Sequence, residues 1–169
     1  MPQQFNPDRL KQVEELLAIE YDKHHEFEKD IALATGNEKI MLKQRVKREI
    51  ALRVRELERE YADLLVAGVP SNEVPDIEAN ELVMELSKAT DATLQTQREP
   101  IPEQMLKALQ DIKAKLSEDK ESASAKLKFS LPLIPTICSY DVEVETVKSI
   151  REVWTKTRDF FKGLIRKGQ

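Results

Sequence analysis

Few residues in this sequence have types and spacing that could support chemistry. His24 and His25 could supply an imidazole base or a metal ligand. Adjacent helical positions point about 100° apart, so the two rings cannot chelate one ion together. His24 also falls on an apolar stripe, which favours a core or interface role. Cys138 could act as a nucleophile, but it alternates with apolar residues, where a thiol normally packs without reacting.

Three acidic residues, Asp141, Glu143 and Glu145, alternate along the chain and could collect a cation on one face of a strand. A charged face toward solvent explains them without any ligand. The 4 glycines form neither a GxGxxG motif nor a phosphate-binding loop, and no Ser-His-Asp or HExxH pattern occurs. We therefore expect no enzymatic activity, no catalytic residues, no metal site and no cofactor.

The composition favours a soluble helical protein. Of 169 residues, 34% are charged, 5% are aromatic and only 4 are glycine, a balance that favours helix over sheet. The net charge of -4 lacks the basic excess of a dedicated nucleic-acid binder. The longest uncharged run, residues 129–140, is too short and too rich in proline to cross a bilayer. We expect a cytoplasmic location, which the single Cys138 also fits.

Residues 6–68 carry the pattern of a long, antiparallel, coiled-coil-like helical hairpin. The run Asn6-Pro7-Asp8 combines a capping side chain, a proline at the first helical position and an acid at the positive end of the dipole. Gly36 supplies a left-handed stop, and Asn37 can cap the second helix. Apolar residues at helical spacing mark the inner face of the first helix: Leu10, Val13, Leu17, Tyr21, Phe27 and Ile31.

Opposite charges on the two arms support this pairing. Residues 14–30 carry seven acids and two bases, whereas residues 38–55 carry seven bases and two acids. We expect ion pairs that set the register, each worth only about 0–1 kcal/mol. The expected partners are Glu26, Glu28 and Asp30 on one arm and Lys39, Lys43 and Lys47 on the other. A nucleic-acid surface is the alternative role for the bases, and the matching acids on the neighbouring helix disfavour it.

Proline-rich and polar segments divide the rest of the chain. Residues 69–76 form a linker with two prolines, residues 77–117 carry two shorter helices in a second hairpin, and residues 118–124 form a polar linker. Residues 125–169 form a different block of two β-strands and a C-terminal amphipathic helix. The predicted fold class is therefore mainly α with a small β component (α+β).

The strands are predicted because the apolar period changes from helical to alternating after residue 125. This alternation is typical of strands with one apolar face. The alternating apolar residues are Leu127, Phe129 and Leu131, then Cys138, Tyr140, Val142 and Val144. A two-stranded ribbon alone is marginal in water, so its face needs cover from a helix of this chain or from another subunit. We therefore expect a homo-oligomer.

The last helix, predicted to begin near Thr146, is basic and amphipathic. Residues 147–169 hold seven bases against two acids. Its apolar face carries Ile150, Val153, Trp154, Phe160, Phe161, Leu164 and Ile165. A membrane-surface helix has this pattern, and so does a core helix that covers the ribbon. We favour the core helix because the strands must bury their apolar face.

Two parts of the sequence carry recognisable runs of residues. Around the turn of the first hairpin, residues 27–39 read FEKDIALATGNEK and residues 42–47 read LKQRVK. Near the C-terminus, residues 125–135 read AKLKFSLPLIP and residues 139–146 read SYDVEVET. With the later Trp154, these stretches resemble helical effector-associated modules of cyanobacterial-type signalling and conflict proteins. Such modules accompany signalling ATPases of the NACHT and related classes and caspase-like or TIR effectors, and are thought to recruit them by like-with-like contacts. The resemblance implies an adaptor or detached sensor-side module, and it implies no catalytic residues.

The sequence thus predicts a non-enzymatic protein–protein interaction and assembly module, an adaptor in bacterial signalling or defence. The candidate interaction residues are Leu127, Phe129, Leu131, Tyr140, Val142, Val144, Trp154, Phe160 and Phe161. One alternative is a peripheral membrane-binding protein that uses residues 146–167. A second is nucleic-acid binding through the basic start of helix two, which we do not favour.

Overall fold

A computed structural model describes residues 4–70, 73–96, 101–140 and 148–168, and almost all of these residues lie in helices. The first helix, α1, spans Pro7–Leu33. A continuous helical rod follows, made of α2 (Gly36–Arg45), a π-helical segment (Val46–Ala51) and α3 (Leu52–Gly68). The remaining helices are α4 (Asp76–Thr96), α5 (Glu103–Leu116), α6 (Ala123–Ser130), α7 (Leu133–Ser139) and α8 (Lys148–Lys167).

The predicted N-terminal hairpin is confirmed. Asn6 accepts a hydrogen bond from the backbone N–H of Arg9 over 3.1 Å, with a proline in the first helical turn. Gly36 makes the turn with a φ of 60°, a conformation that glycine adopts without strain. The predicted cap at Asn37 is wrong, because the second helix already begins at Gly36 and Thr35 occupies the capping position.

The ion pairs expected between the two arms do not form. Among the described residues, no ion pair within 4.0 Å joins an acid at 26–30 to a lysine at 39–47. Glu26 pairs instead with Lys29 of its own helix over 3.2 Å. Oppositely charged side chains one turn apart on the same helix can pair without any help from the other arm. An exposed ion pair between the arms contributes too little free energy to replace such a pair. The register of the hairpin therefore rests on apolar packing.

The predicted C-terminal β-ribbon is wrong: no strand occurs in the part of the chain that the structure describes. Leu127 and Phe129 lie within α6, and Leu131 caps its end. Tyr140 follows the last residue of α7. Cys138 lies within α7, and the last two predicted strand residues, Val142 and Val144, lie outside the described residues.

The helical period of α6 is hidden because two of its buried positions are serines. The buried residues of this segment recur at steps of three or four: Ser124, Leu127, Ser130 or Leu131, and Ile134. The Ser130 hydroxyl donates to the Lys126 carbonyl over 2.9 Å, which satisfies a buried polar group. Ser122 caps the helix by accepting from the Ala125 N–H over 3.1 Å. Capping and helical burial together therefore override the two-residue alternation.

The last helix is the one that ties the bundle together. It packs against α3, α4 and α7 at once. Val153, Trp154 and Phe161 are all buried within the main core cluster, and the Trp154 ring meets Tyr61 edge-on at 6.2 Å between centroids. The apolar face of α8 is therefore covered by helices of this same chain.

Removing the Phe161 ring should test this role of α8. Phe161 is fully buried, so we expect Phe161→Ala to lower the free energy of unfolding by about 3–5 kcal/mol. The matched control is Phe129→Ala, whose ring is 46% exposed and faces Lys115, and which should cost less than about 1 kcal/mol. Urea titration of both variants measures the difference. Equal costs would contradict the placement of Phe161 in the core.

Replacing glycine with alanine should change the free energy of unfolding in opposite directions at two positions, Gly68 and Gly163. A Cβ atom on Gly68 would lie 2.8 Å from the Phe5 ring and 2.9 Å from Cδ1 of Ile165, so Gly68→Ala should destabilise by about 1–3 kcal/mol through overpacking. A Cβ on Gly163, within α8, meets no atom within 4 Å, and Gly163→Ala should stabilise by about 0.5–1 kcal/mol. Thermal unfolding compares them. Stabilisation by both changes would show that α3, Phe5 and α8 do not approach each other this closely.

Candidate functional site

The distal end of the first hairpin, residues 21–45, extends beyond the core, and we call it the hairpin tip. Of the α1 residues, the core cluster includes Leu10, Val13 and Leu17 but none further along the helix. No residue of α2 is buried. The arm Tyr21–Leu33 alone is about 20 Å long at 1.5 Å per residue. The tip is thus ordered helix that contributes little to the core.

Large apolar side chains are exposed at the tip. Leu33 at the end of α1 is 86% exposed, and Ile40 and Met41 in α2 are 55% and 63% exposed. By contrast Phe27 is half-buried beneath the Arg45 guanidinium, 5.2 Å from the ring centroid. Single exposed apolar residues are ordinary, but three beside one chain reversal are typical of a contact surface.

The tip also has one acidic arm and one basic arm. Because no cross-arm ion pair forms between them among the described residues, the acids at 26–30 and the lysines at 39–47 do not neutralise each other directly. The side chains of Lys39, Lys43 and Lys47 are exposed, as are those of Glu26 and Asp30. The hairpin therefore presents two flanks of opposite charge to solvent.

A second feature is a cleft of about 370 Å³ between α1, α3 and α8. Its walls combine aromatic rings, two carboxylates and two cations. The lining residues are Glu14, Leu17, Ala18, Tyr21, Glu58, Tyr61, Trp154, Arg158 and Lys162. The helical spacing of Trp154, Arg158 and Lys162 aligns all three along one edge of α8.

Glu58 is unusual in this cleft because glutamate is rarely buried, whereas only 5% of this residue is exposed. Its Oε1 atom accepts a hydrogen bond from the Tyr21 hydroxyl over 2.7 Å. Its Oε2 atom is buried without a hydrogen-bond partner among the described residues. Burial raises the pKa of Glu58 to about 7, although the Tyr21 hydrogen bond and the charge of Arg158 act in the opposite direction.

The second carboxylate of the cleft, Glu14, is fully satisfied. Its Oε1 atom accepts from the Tyr61 hydroxyl over 2.7 Å and pairs with Lys162 Nζ over 2.8 Å. Burial alone would raise the pKa of Glu14, but the contacts with Lys162 and Tyr61 outweigh it and hold the pKa below its usual value. Burial and the bond to Glu14 also raise the pKa of Tyr61. These three residues form a neutralised network beside Glu58.

The residues that the sequence singled out for chemistry do not converge. His24 and His25 both lie beside Glu28, at 3.6 Å and 3.7 Å. Cys138 is buried in α7. No group of three His, Cys, Asp or Glu side chains suited to a metal ion occurs within the described ranges. The acidic residues at 141, 143 and 145 lie outside those ranges.

The candidate interaction residues are mostly internal. Phe129 is exposed and Phe160 is half-buried, whereas Val142 and Val144 lie outside the described residues. The buried members are Leu127, Leu131, Tyr140, Trp154 and Phe161. These five side chains already pack within the core cluster. Glu58 and the exposed apolar residues of the hairpin tip are not among these candidates, and the sequence points to the tip only through the basic start of helix two, the surface of the nucleic-acid alternative.

The burial of Glu58 could have been predicted from its spacing to neighbouring apolar residues. It follows Val54 by four residues and precedes Tyr61 by three, and both of these are buried. A glutamate on an apolar helical stripe faces the interior unless the helix bends away. A stripe defined by apolar residue types alone omits such a glutamate, even where its position faces the interior.

Comparison with known proteins adds no family: no family model, no curated protein and no solved structure matches this chain. A search of the described helices also finds none with the length and apolar character needed to cross a bilayer. The hairpin tip and the cleft are therefore the two features of the described chain that point to a function.

Neutralising Glu58 should change the pH dependence of stability. The unfolded carboxyl has a pKa near 4.5 and the folded one a pKa of about 7, so the folded state retains a proton that the unfolded state loses between these values. Stability of the parent protein should fall as pH rises through this window and then level off. Glu58→Gln should remove that loss and be more stable than the parent by about 3 kcal/mol at pH 8.

The measurement is urea unfolding of both proteins from pH 4 to pH 8, with Glu56→Gln as the control. Glu56 lies on the same helix, but its side chain is 72% exposed, so this change should leave the pH profile unaltered. Equal pH profiles for the parent and Glu58→Gln would show that the Glu58 carboxyl titrates normally and is not buried.

Proposed function

We propose that this chain is a non-enzymatic protein–protein interaction and assembly module, and that its contact surface is the hairpin tip. The observation that carries the proposal is the combination of exposed Leu33, Ile40 and Met41 with two flanks of opposite charge. Such a helical projection adds little to the core, so the stability of this chain does not account for it. A partner that covers the apolar side chains would account for both features.

A second copy of the chain is the partner that the charge pattern fits best. A two-fold symmetric interface places a surface against itself, so each patch must complement its own copy. When two tips lie side by side, the acidic arm of one meets the basic arm of the other. The apolar residues at 33, 40 and 41 then lie in or near the contact.

The wider role that we propose is that of an adaptor in bacterial signalling or defence. The resemblance of residues 27–39, 42–47, 125–135 and 139–146 to effector-associated modules supports it, because such modules are thought to recruit ATPases and caspase-like or TIR effectors by like-with-like contacts. A self-complementary tip is one physical means of like-with-like recognition. The ATPase or effector remains a proposed partner.

The two alternatives receive less support from the geometry. A membrane-surface role for residues 146–167 needs an exposed apolar face, whereas Trp154 and Phe161 are buried in the core. A nucleic acid on the basic arm would meet the acidic arm beside it, at a separation similar to the Debye length of about 8 Å. Like-charge repulsion from these acids would therefore oppose phosphate binding.

A charge-swap experiment tests self-assembly through the tip. One variant, Glu26→Lys with Asp30→Lys, changes the net charge of residues 21–33 within the tip from -2 to +2. The other, Lys39→Glu with Lys43→Glu, changes that of residues 36–45 from +2 to -2. Each variant alone should repel its own copy and scatter light as a monomer of 19.5 kDa, whereas the parent should be larger. An equal mixture of the two variants should recover the larger mass, because opposite arms attract again.

The control variant is Glu78→Lys, which reverses an exposed charge on α4 away from the tip and should leave the parent mass unchanged. Circular dichroism confirms that all variants remain helical. A parent protein that stays monomeric at high micromolar concentration, or a mixture that does not recover the larger mass, would contradict assembly through the tip.

A further inference from the structure

We propose that the cleft between α1, α3 and α8 binds a small zwitterionic ligand of the amino-acid type, whose ammonium group contacts Glu58 and whose carboxylate contacts Arg158. Apart from Tyr21, where the tip begins, the cleft residues lie outside the hairpin tip, and ligand binding there does not depend on the proposed assembly function. Three observations support ligand binding there. The buried Oε2 atom of Glu58 has no hydrogen-bond partner among the described residues, the Arg158 guanidinium pairs only with its exposed neighbour Asp159, and the charges of Glu58 and Arg158 are opposite.

The first half of the site is Glu58. Its Oε2 atom lacks a hydrogen-bond partner among the described residues although it is buried, and leaving such an acceptor unmet is costly. An ammonium group would supply the missing donor and a compensating charge. Tyr21, Tyr61 and Trp154 line the same cleft, and an aromatic ring attracts a cation placed over its face.

The second half of the site is Arg158. Its guanidinium pairs with Asp159, the next residue, over 3.4 Å, and the Arg158 side chain is 37% exposed. No second carboxylate in the described chain lies within ion-pair distance of it. Arg158 is nevertheless close enough to the cleft for its charge to oppose the rise in the pKa values of Glu58 and Tyr61 and to add to the lowering of the pKa of Glu14. The fork of the guanidinium matches a carboxylate in two parallel hydrogen bonds.

The charge balance selects a ligand with both signs. Lys162 and Glu14 neutralise each other over 2.8 Å, which leaves Glu58 and Arg158 as the groups that face the ligand. A simple cation would be attracted by Glu58 but repelled by Arg158. A simple anion would be attracted by Arg158 but repelled by Glu58. Only a ligand that carries an ammonium and a carboxylate satisfies both groups.

The size and the walls of the cleft narrow the class further. A volume of about 370 Å³ lies toward the small end of the range for ligand pockets. Leu17, Ala18 and the Trp154 ring offer apolar contacts for a hydrocarbon side chain. Tyr21 is 38% exposed and its hydroxyl bonds to Glu58, so rotation of this side chain toward solvent gives the ammonium access to the carboxylate.

Calorimetric titration with three probes that share one hydrocarbon group tests the proposal. The probes are L-leucine, isoamylamine, which lacks the carboxylate, and 4-methylpentanoate, which lacks the ammonium. The titrations use the full chain above pH 7, where Glu58 is ionised. We expect L-leucine to bind below about 10 mM and each singly charged probe to bind at least about tenfold more weakly.

Two variants and two matched controls locate the site. Glu58→Gln and Arg158→Gln should each weaken L-leucine binding by at least about tenfold, since each removes one charged contact. Glu56→Gln on α3 and Arg166→Gln on α8 change exposed residues of the same types on the same helices, and binding should stay at the parental value. Circular dichroism excludes unfolding as the cause of any loss.

Three results would overturn the proposal. They are no binding of L-leucine up to about 10 mM, equal binding of L-leucine and either singly charged probe, and equal losses in the test and control variants. The charge-swap variants of the hairpin tip alter none of the cleft residues. A failure of ligand binding would therefore leave the proposed assembly standing, and a failure of assembly would leave the proposed ligand site standing.

Discussion

The burial of the apolar face of α8 is the interaction on which the rest of this structure depends. Phe161 and Ile150 are fully buried among residues contributed by α3, α4 and α7. Burying large side chains of this kind contributes about 1.5–3 kcal/mol each. The same helix carries Arg158 and Lys162 along its edge. The cleft therefore forms because packing of α8 brings those cations to face Glu14 and Glu58.

The hairpin tip is what remains after this core is complete. The core cluster uses α1 only as far as Leu17, so the rest of that helix and α2 form a projection held mainly by contacts between the arms. The π-helical segment marks the transition, with Val46, Ile50 and Ala51 buried and α2 beyond it exposed. A π turn adds a residue to the helical turn and shifts the following face, and such segments are frequent near functional sites.

The N-terminal hairpin could be predicted from the sequence because several local signals agreed: the cap at Asn6, the stop at Gly36 and one apolar stripe. The C-terminal block could not, because its local and tertiary signals conflicted. Alternation of Leu127, Phe129 and Leu131 favoured a strand, yet the core takes Leu127 and Leu131, four residues apart on a helix, and leaves Phe129 exposed. Tertiary contacts with α4 and α5 decided between the two periods, and one sequence contains no direct record of such contacts. Glu58 was missed for a related reason, since its type indicated solvent while its position indicated the interior.

Both candidate sites lie where this chain departs from what stability alone would favour. A glutamine at position 58 would avoid the cost of ionising a buried carboxyl above pH 7. Polar residues at positions 33, 40 and 41 would avoid apolar exposure on helices that add little to the core. Local choices that oppose the fold concentrate at functional sites, because selection for binding maintains them against their cost in stability. Glu58 contacts Tyr21 near the middle of α1, whereas positions 33, 40 and 41 lie at the far end of the hairpin. Ligand occupancy of the cleft and assembly at the tip can therefore vary independently unless the helices between them transmit the change.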